Sequence, residues 1–263
     1  MPTPLFIVDA FADGPFTGNP AAICLLDRER DDAWLQALAA EMNLSETAYP
    51  LKRDGRWGLR WFTPLSEVDL CGHATLASAH VLWETGRIGS NESAAFSTRS
   101  GTLTCRRTGD RIEMDFPSVP PGEAPAPPGL LEGLGAKALF VGRNRLDWIV
   151  QLESEEAVRR VHPDQTLLAQ VPTRGIIITA KSASAGYDFV SRAFFPLLGV
   201  PEDPVCGSAH CCLGQFWQVR LGKDEMVAHQ VSKRGGVVYV RCAGERVALG
   251  GKAVTAVRGE LTI

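Results

Sequence analysis

The chain has 263 residues, 45% apolar and 22% charged, with a formal net charge of −3 and a pI near 6.0. That length suits one large or two small domains, and an even charge balance without a basic run removes the attraction that a nucleic-acid or anionic-membrane binder needs. MPTPLFIVDAF at the start lacks the basic stretch and cleavage site of a secretory leader, and no apolar run approaches the ~18 residues of a membrane span, so a cytoplasmic protein is expected.

In chain order, LFIVDAF (Leu5 to Phe11) and AAICLL (Ala21 to Leu26) read as strands from their β-branched and apolar content. Residues Asp31 to Asn43 form a predicted outer helix, with Trp34, Leu35, Leu38, Ala39 and Met42 at helical spacing on one face. Strands ETAYPLK (from Glu46) and WGLRWFT (from Trp57) follow. Then comes a helix over Ala74 to Glu84 that is apolar on nearly all sides, as suits a helix enclosed by sheet. TLTCRR (from Thr102) and RIEMDF (from Arg111) are strands, and the Pro-rich Ser118 to Gly129 is the expected linker. A second all-round apolar helix is expected over Ala209 to Val219. Cys24, Cys105 and Cys242 sit in strand-like segments and are read as core.

The two apolar helices belong to a repeat. EVDLCGHATLASAH begins at Glu67 and EDPVCGSAH at Glu202, so that Cys71 and Cys206 are 135 residues apart. RSGTLTCRRTGDRI (from Arg99) aligns without gaps on RGGVVYVRCAGERV (from Arg234) at the same offset, and RWFTP (from Arg60) resembles RAFFP (from Arg192). Self-similarity of this kind predicts two copies of one unit. The expected fold is α+β, with two pseudo-symmetric halves, residues 1–118 and 119–252, each a curved mixed sheet wrapped around a central buried helix.

In each copy an acidic residue precedes a Cys-Gly turn that opens the buried helix. Unpaired backbone N–H groups at a helix start carry partial positive charge and bind anions, and glycine lets a ligand approach the backbone. If the copies face each other, two such ends meet in one cleft, and a small carboxylate is the expected ligand. Glu46 opens an apolar strand, where burial would favour its neutral form and suit it as a general base near neutrality. His73 could act as acid, base or donor, and Ser208 holds the matching place in the second copy. Cys71 and Cys206, at helix starts that lower a thiol pKa, offer a second mechanism, the opposed thiol pair of a cofactor-free racemase. A Cys-His nucleophile reads less well, because Cys71 and His73 are two apart on one turn. Without paired C-x-x-C spacing no metal site is expected, and without G-x-G-x-x-G or Walker patterns no nucleotide cofactor is expected.

FADGPFTGNPAAI (from Phe11), NLSETAY (from Asn43), RWFTPLSEVDLCGHAT (from Arg60) and EDPVCGSAHC (from Glu202) together resemble the phenazine-biosynthesis-type isomerase (PhzF-like) family, within the diaminopimelate-epimerase-like fold. The resemblance covers essentially the whole chain. It implies an isomerase that shifts a proton within a small carboxylate-bearing substrate without a cofactor, a homodimer, and a last strand, about 253–263, that returns to the first half. It further implies Glu46 as proton shuttle with His73, Asp203 and Ser208 beside it, and Asn19, Ser45, Gly72 and Gly207 as substrate-binding residues. Epimerase relatives use cysteines where this chain has Cys71 and Cys206, so the thiol mechanism stays open, as does a non-catalytic binding protein of the same fold.

Overall fold

The computed structural model describes residues 3–263, so Met1 and Pro2 of the expected first half lie outside the described residues. The chain divides into two compact units: residues up to Asp115 together with Gly250–Ile263, and Phe116–Leu249.

The first unit runs β1 (Thr3–Ala10), β2 (Asn19–Cys24), α1 (Asp32–Met42), β3 (Glu46–Arg53), β4 (Arg56–Phe62), β5 (Glu67–Val68), α2 (Gly72–Glu84), β6 (Ala94–Thr98), β7 (Gly101–Thr108) and β8 (Arg111–Pro117). Its sheet is mixed: β2 pairs parallel with β3, β3 antiparallel with β4, β4 parallel with β6, and β6 antiparallel with β7. The final strand, Ala253–Leu261, pairs antiparallel with β1. Helix α2 packs against β1, β2 and β3 and buries residues on every face, from His73 through Trp83 with His80 the main exception. A helix with no polar face belongs inside a sheet, and this one starts two residues before its apolar run because the Cys-Gly turn itself supplies the first N–H groups.

Helix α1 lies on the other side of β3 and β4. Asp31 caps it by accepting from the Trp34 N–H at 2.8 Å, and Asn43 ends it in the left-handed region. Its buried Leu35, Leu38 and Ala39 join Cys24, Leu26, Tyr49 and Phe62 in a cluster separate from the α2 side.

The second unit runs β9 (Gly122–Glu123), α3 (Leu130–Leu134), β10 (Phe140–Arg143), β11 (Asp147–Gln151), α4 (Glu155–Arg160), α5 (Gln165–Leu168), β12 (Gly175–Lys181), β13 (Phe189–Phe195), β14 (Val200–Asp203), α6 (Gly207–Leu221), β15 (Glu225–Gln230), β16 (Gly236–Ala243) and β17 (Arg246–Gly251). Its pairings repeat the first unit's: β11 parallel to β12, β12 antiparallel to β13, β13 parallel to β15, β15 antiparallel to β16. The repeat therefore extends from words in the sequence to strand direction.

Part of the expected linker is ordered structure. Gly122–Glu123 pairs with β10, and the Ser118 and Val119 N–H groups donate to the Glu245 and Cys211 carbonyls. Proline-rich composition marks chain that cannot sit in a central strand, but its remaining N–H groups still need acceptors.

The repeated words acquire a structural cause. Arg60 makes a two-pronged pair with Glu67, both contacts at 2.7 Å, and Arg192 makes the same pair with Glu202 at 2.7 and 3.0 Å. Each pair ties a long strand to the short antiparallel strand that leads into Cys-Gly. The acid at the head of each motif is thus engaged by arginine, in the bidentate geometry that guanidinium and carboxylate favour.

Candidate active site

In the first unit three sequence-distant segments meet at the start of α2. The parallel pairing of Ala21 with Glu46 sets Asn19, two residues earlier in β2, beside Ser45. Ser45 Oγ donates to Asn19 Oδ1 at 3.1 Å, which turns the amide so that its Nδ2 faces His73 Nδ1 at 3.2 Å. In the neutral ring Nδ1 then accepts, which places that form's proton on Nε2. Nε2 in turn lies 3.2 Å from Glu46 Oε2. That contact is close but not aligned as a hydrogen bond, and both atoms are buried without a hydrogen-bonding partner. The His73 side chain is 7% exposed and that of Glu46 18%.

Cys71 precedes α2 with extended backbone, and its side chain makes no capping hydrogen bond. Its Sγ is 3.5 Å from His73 Nδ1. Burial pushes the Cys71 thiol up to about 11, and the Glu46 carboxylate adds to the rise, while His73 and the Ala74 N–H pull it back. For His73 burial acts to lower the pKa, but Cys71 and Glu46 raise it, and the net direction is upward. Charging the ring would require the Asn19 amide to turn over, so that its oxygen accepts from Nδ1.

The lowered thiol pKa expected at both helix starts is therefore corrected. Cys206 is also pushed up, first by burial and then by the Asp203 charge, against the pull of Arg174. A helix end offers about half a charge on its exposed N–H groups, whereas full burial removes the water that would stabilise a thiolate.

The second unit has the matching turn. Cys206 is extended and uncapped by a side chain before α6, and its Sγ lies 3.3 Å from Ser208 Oγ, as Cys71 lies beside His73. A Cβ built at Gly207 would meet nothing nearer than Leu249 at 3.9 Å, so packing does not demand glycine and space remains over the helix start. Gln230, fully buried, clamps the turn: its Oε1 accepts from the Cys206 N–H at 2.9 Å and its Nε2 donates to the Asp203 carbonyl at 2.7 Å. Asp203 ends β14.

Sequence reasoning missed Arg174. Its guanidinium donates to Ser208 Oγ at 2.9 Å and pairs through two nitrogens with Asp147, which is 1% exposed. Burial would lower the Arg174 pKa, and Asp147 more than offsets this, so the group stays cationic beside the helix start. The parallel register that places Asp147 opposite Gly175 makes the pair possible. A single charge at the foot of GIIITAK has no periodic signature, and nothing in the sequence links it to residue 147 or 208.

The expected residues thus fall into two groups. Asn19, Ser45, Glu46, Cys71, Gly72 and His73 come together in the first unit, and Asp203, Cys206, Gly207 and Ser208 in the second. Among the described residues, one set could share a metal ion: ligand atoms of Glu46, Cys71 and His73 lie within 4.8 Å of one another. Using it would require deprotonating the Cys71 thiol, which burial opposes.

Residues 8–259 match the family model described as phenazine biosynthesis-like protein. An uncharacterized isomerase of Halalkalibacterium halodurans is 52% identical over all of both chains, and one of Pseudomonas aeruginosa is 48% identical over 99% of each. The crystal structure of a PhzF-family phenazine biosynthesis protein of Enterococcus faecalis superposes with a TM-score of 0.95 at 41% identity, covering 100% of both chains.

Proposed function

The chain belongs to the phenazine biosynthesis-like protein family, and from that premise we propose that it is a cofactor-independent isomerase moving a proton between two carbons of a small carboxylate-bearing substrate, with Glu46 as acid and base. The observation that carries this reading is the unsatisfied pair, Glu46 Oε2 and His73 Nε2, buried 3.2 Å apart at the uncapped start of α2.

The steps follow from those positions. The N–H groups of Gly72 and its neighbours take the substrate carboxylate. The Glu46 carboxylate removes a proton from a carbon conjugated to an electron-withdrawing group, and the electron pair moves into that system. The N–H of His73, held on Nε2 by the Asn19 and Ser45 chain, stabilises the charge that develops on oxygen. Glu46, now protonated, returns the proton to a second carbon, so that a double bond shifts and no atom is gained or lost. Ser208 and Arg174 are assigned to substrate binding through a hydroxyl and a cation at the start of α6.

Thiols pushed up by burial favour the carboxylate over the Cys71 and Cys206 pair as the base. Free thiols such as Cys71, Cys206 and Cys242 suit a reducing compartment, so the cytoplasm belongs to the same reading. No helix among the described residues is long and apolar enough to cross a membrane.

The test is deuterium incorporation in heavy water, read by mass spectrometry across a panel of small carboxylates including amino acids, hydroxyprolines and cyclic dienes. Exchange at an allylic or ring carbon with a displaced double bond is the expected result. Exchange only at an amino-acid α-carbon with loss of optical activity would replace this reading by the thiol racemase.

A further inference from the structure

Strand alternation separates Glu46 from a second feature of the first unit. Along β3, Tyr49, Leu51 and Arg53 point to the face that carries α1, and Glu46 and Ala48 to the other. Across the β3–β4 pair, Leu51 stands opposite Gly58 and Tyr49 opposite Arg60. Gly58 has no side chain to fill its place beside α1, and a cavity of about 380 Å³ opens there. Its apolar lining comes from Leu26, Leu35, Tyr49 and Leu51, and the Tyr49 hydroxyl is already committed to the Leu35 carbonyl at 2.6 Å.

Four arginines border this space: Arg30, Arg53, Arg60 and Arg99. Three have carboxylate partners, Arg53 with Glu29, Arg60 with Asp32 and Glu67, and Arg99 with Glu67 and Asp69. Arg30 differs. Its guanidinium lies over the Trp34 ring, 4.7 Å from the centroid, no carboxylate among the described residues pairs with it, and its Nε is buried without a hydrogen-bonding partner. A stacked guanidinium with one unpaired donor can turn its fork towards a planar carboxylate.

We propose that this cavity is a second binding site, for a small organic monoanion with an apolar body, an aryl or branched aliphatic carboxylate. The carboxylate is taken by Arg30, and the body lies over Gly58 against Leu35 and Leu51. A volume of this size accepts a small ligand, and an apolar lining with few polar anchors is the usual make-up of such sites. Among the described residues Arg30 is the one of the four arginines without a paired carboxylate, and Glu29, Asp32, Glu67 and Asp69 leave no further excess of positive charge, so a monoanion fits better than a phosphate dianion. The site is on the sheet face opposite Glu46 and does not depend on the isomerase reading.

The experiment is fluorine NMR titration of the full chain with para-trifluoromethylbenzoate. Saturable binding is expected, weakened at least about tenfold by Gly58→Leu, by Arg30→Met and by replacing the probe with its amide, and unchanged in His73→Asn. A Cβ at position 58 meets only the Leu51 carbonyl at 3.7 Å, so the leucine enters the cavity rather than the backbone. Should Gly58→Leu fail to fold, Arg30→Met, at a partly exposed loop position, still decides the matter. Absence of saturable binding, equal binding in both cavity variants, loss in His73→Asn, or displacement by inorganic phosphate at lower concentration than by benzoate would each overturn the proposal.

Discussion

His73 Nε2 lies 3.2 Å from Glu46 Oε2, and neither buried atom has an aligned hydrogen-bond partner. Buried polar atoms are nearly always satisfied, because leaving one unmade costs about 1–3 kcal/mol. In the proposed mechanism the missing partners of these two atoms arrive with the substrate. Glu46→Gln keeps the shape and removes the base. Deuterium exchange should fall roughly 10²–10⁴-fold while substrate affinity, measured by calorimetry, changes by no more than a few fold. Exchange at the wild-type rate would remove Glu46 from the mechanism.

In the proposed mechanism Asn19 acts through His73 as a positioning residue. Its amide, 3.2 Å from Nδ1, favours the Nε2–H form of the neutral ring, with Ser45 holding the amide in turn. Asn19→Ala should lower exchange about tenfold or more and shift its pH profile, and nitrogen NMR of the His73 ring should report a mixture of tautomers. A single Nε2–H tautomer in the variant would show that Asn19 does not set it.

Cys71 and Cys206 are buried thiols whose pKa values lie above the ordinary range. Cys71→Ala and Cys206→Ala should each retain exchange within about tenfold, since a protonated thiol is not a base. Alkylation of Cys71 by iodoacetamide should be slow at pH 7 and accelerate towards pH 11. Complete loss of exchange in either variant would reinstate the thiol pair.

Arg174 presents its charge beside Ser208 while Asp147 anchors it from behind. Arg174→Met should raise KM for the carboxylate substrate about tenfold or more with a smaller change in kcat, as expected for lost uniform binding. Arg174→Lys should not restore the wild-type value, because a point charge cannot bond Asp147 and Ser208 together. An unchanged KM in Arg174→Met would assign the arginine to stability alone.

His210 is fully buried in α6, its Nδ1 donating to the Cys206 carbonyl at 2.7 Å, and burial lowers its pKa to about 4. An unfolded histidine takes its proton near pH 6.5, so the unfolded state binds more protons between about pH 4 and 6.5. Stability is therefore full above 6.5 and declines as pH falls towards 4, by on the order of 3 kcal/mol. Urea midpoints across that range should drop more steeply for the wild type than for His210→Gln, and parallel curves would refute the assignment.

Much of this was legible without coordinates, for reasons that differ by element. Local rules sufficed for α1, whose apolar spacing, Asp31 cap and left-handed Asn43 are contained in one short segment. Duplication sufficed for the two buried helices, since matching words at one offset require matching strands around them. Glu46 and His73 stood out from their residue types and places in the chain, Asn19 and Ser45 only through motif resemblance, and the hydrogen bonds among them depend on the β2–β3 register. Arg174, Asp147 and Gln230 had no local signature. Each takes its role from a partner across a parallel strand pair or at a helix start, 24 to 34 residues away in the chain. The thiols show the division most sharply. Their place at helix starts is a property of sequence order and predicts a lowered pKa, whereas their protonation follows from how completely the fold excludes water, and desolvation outweighs a helix end.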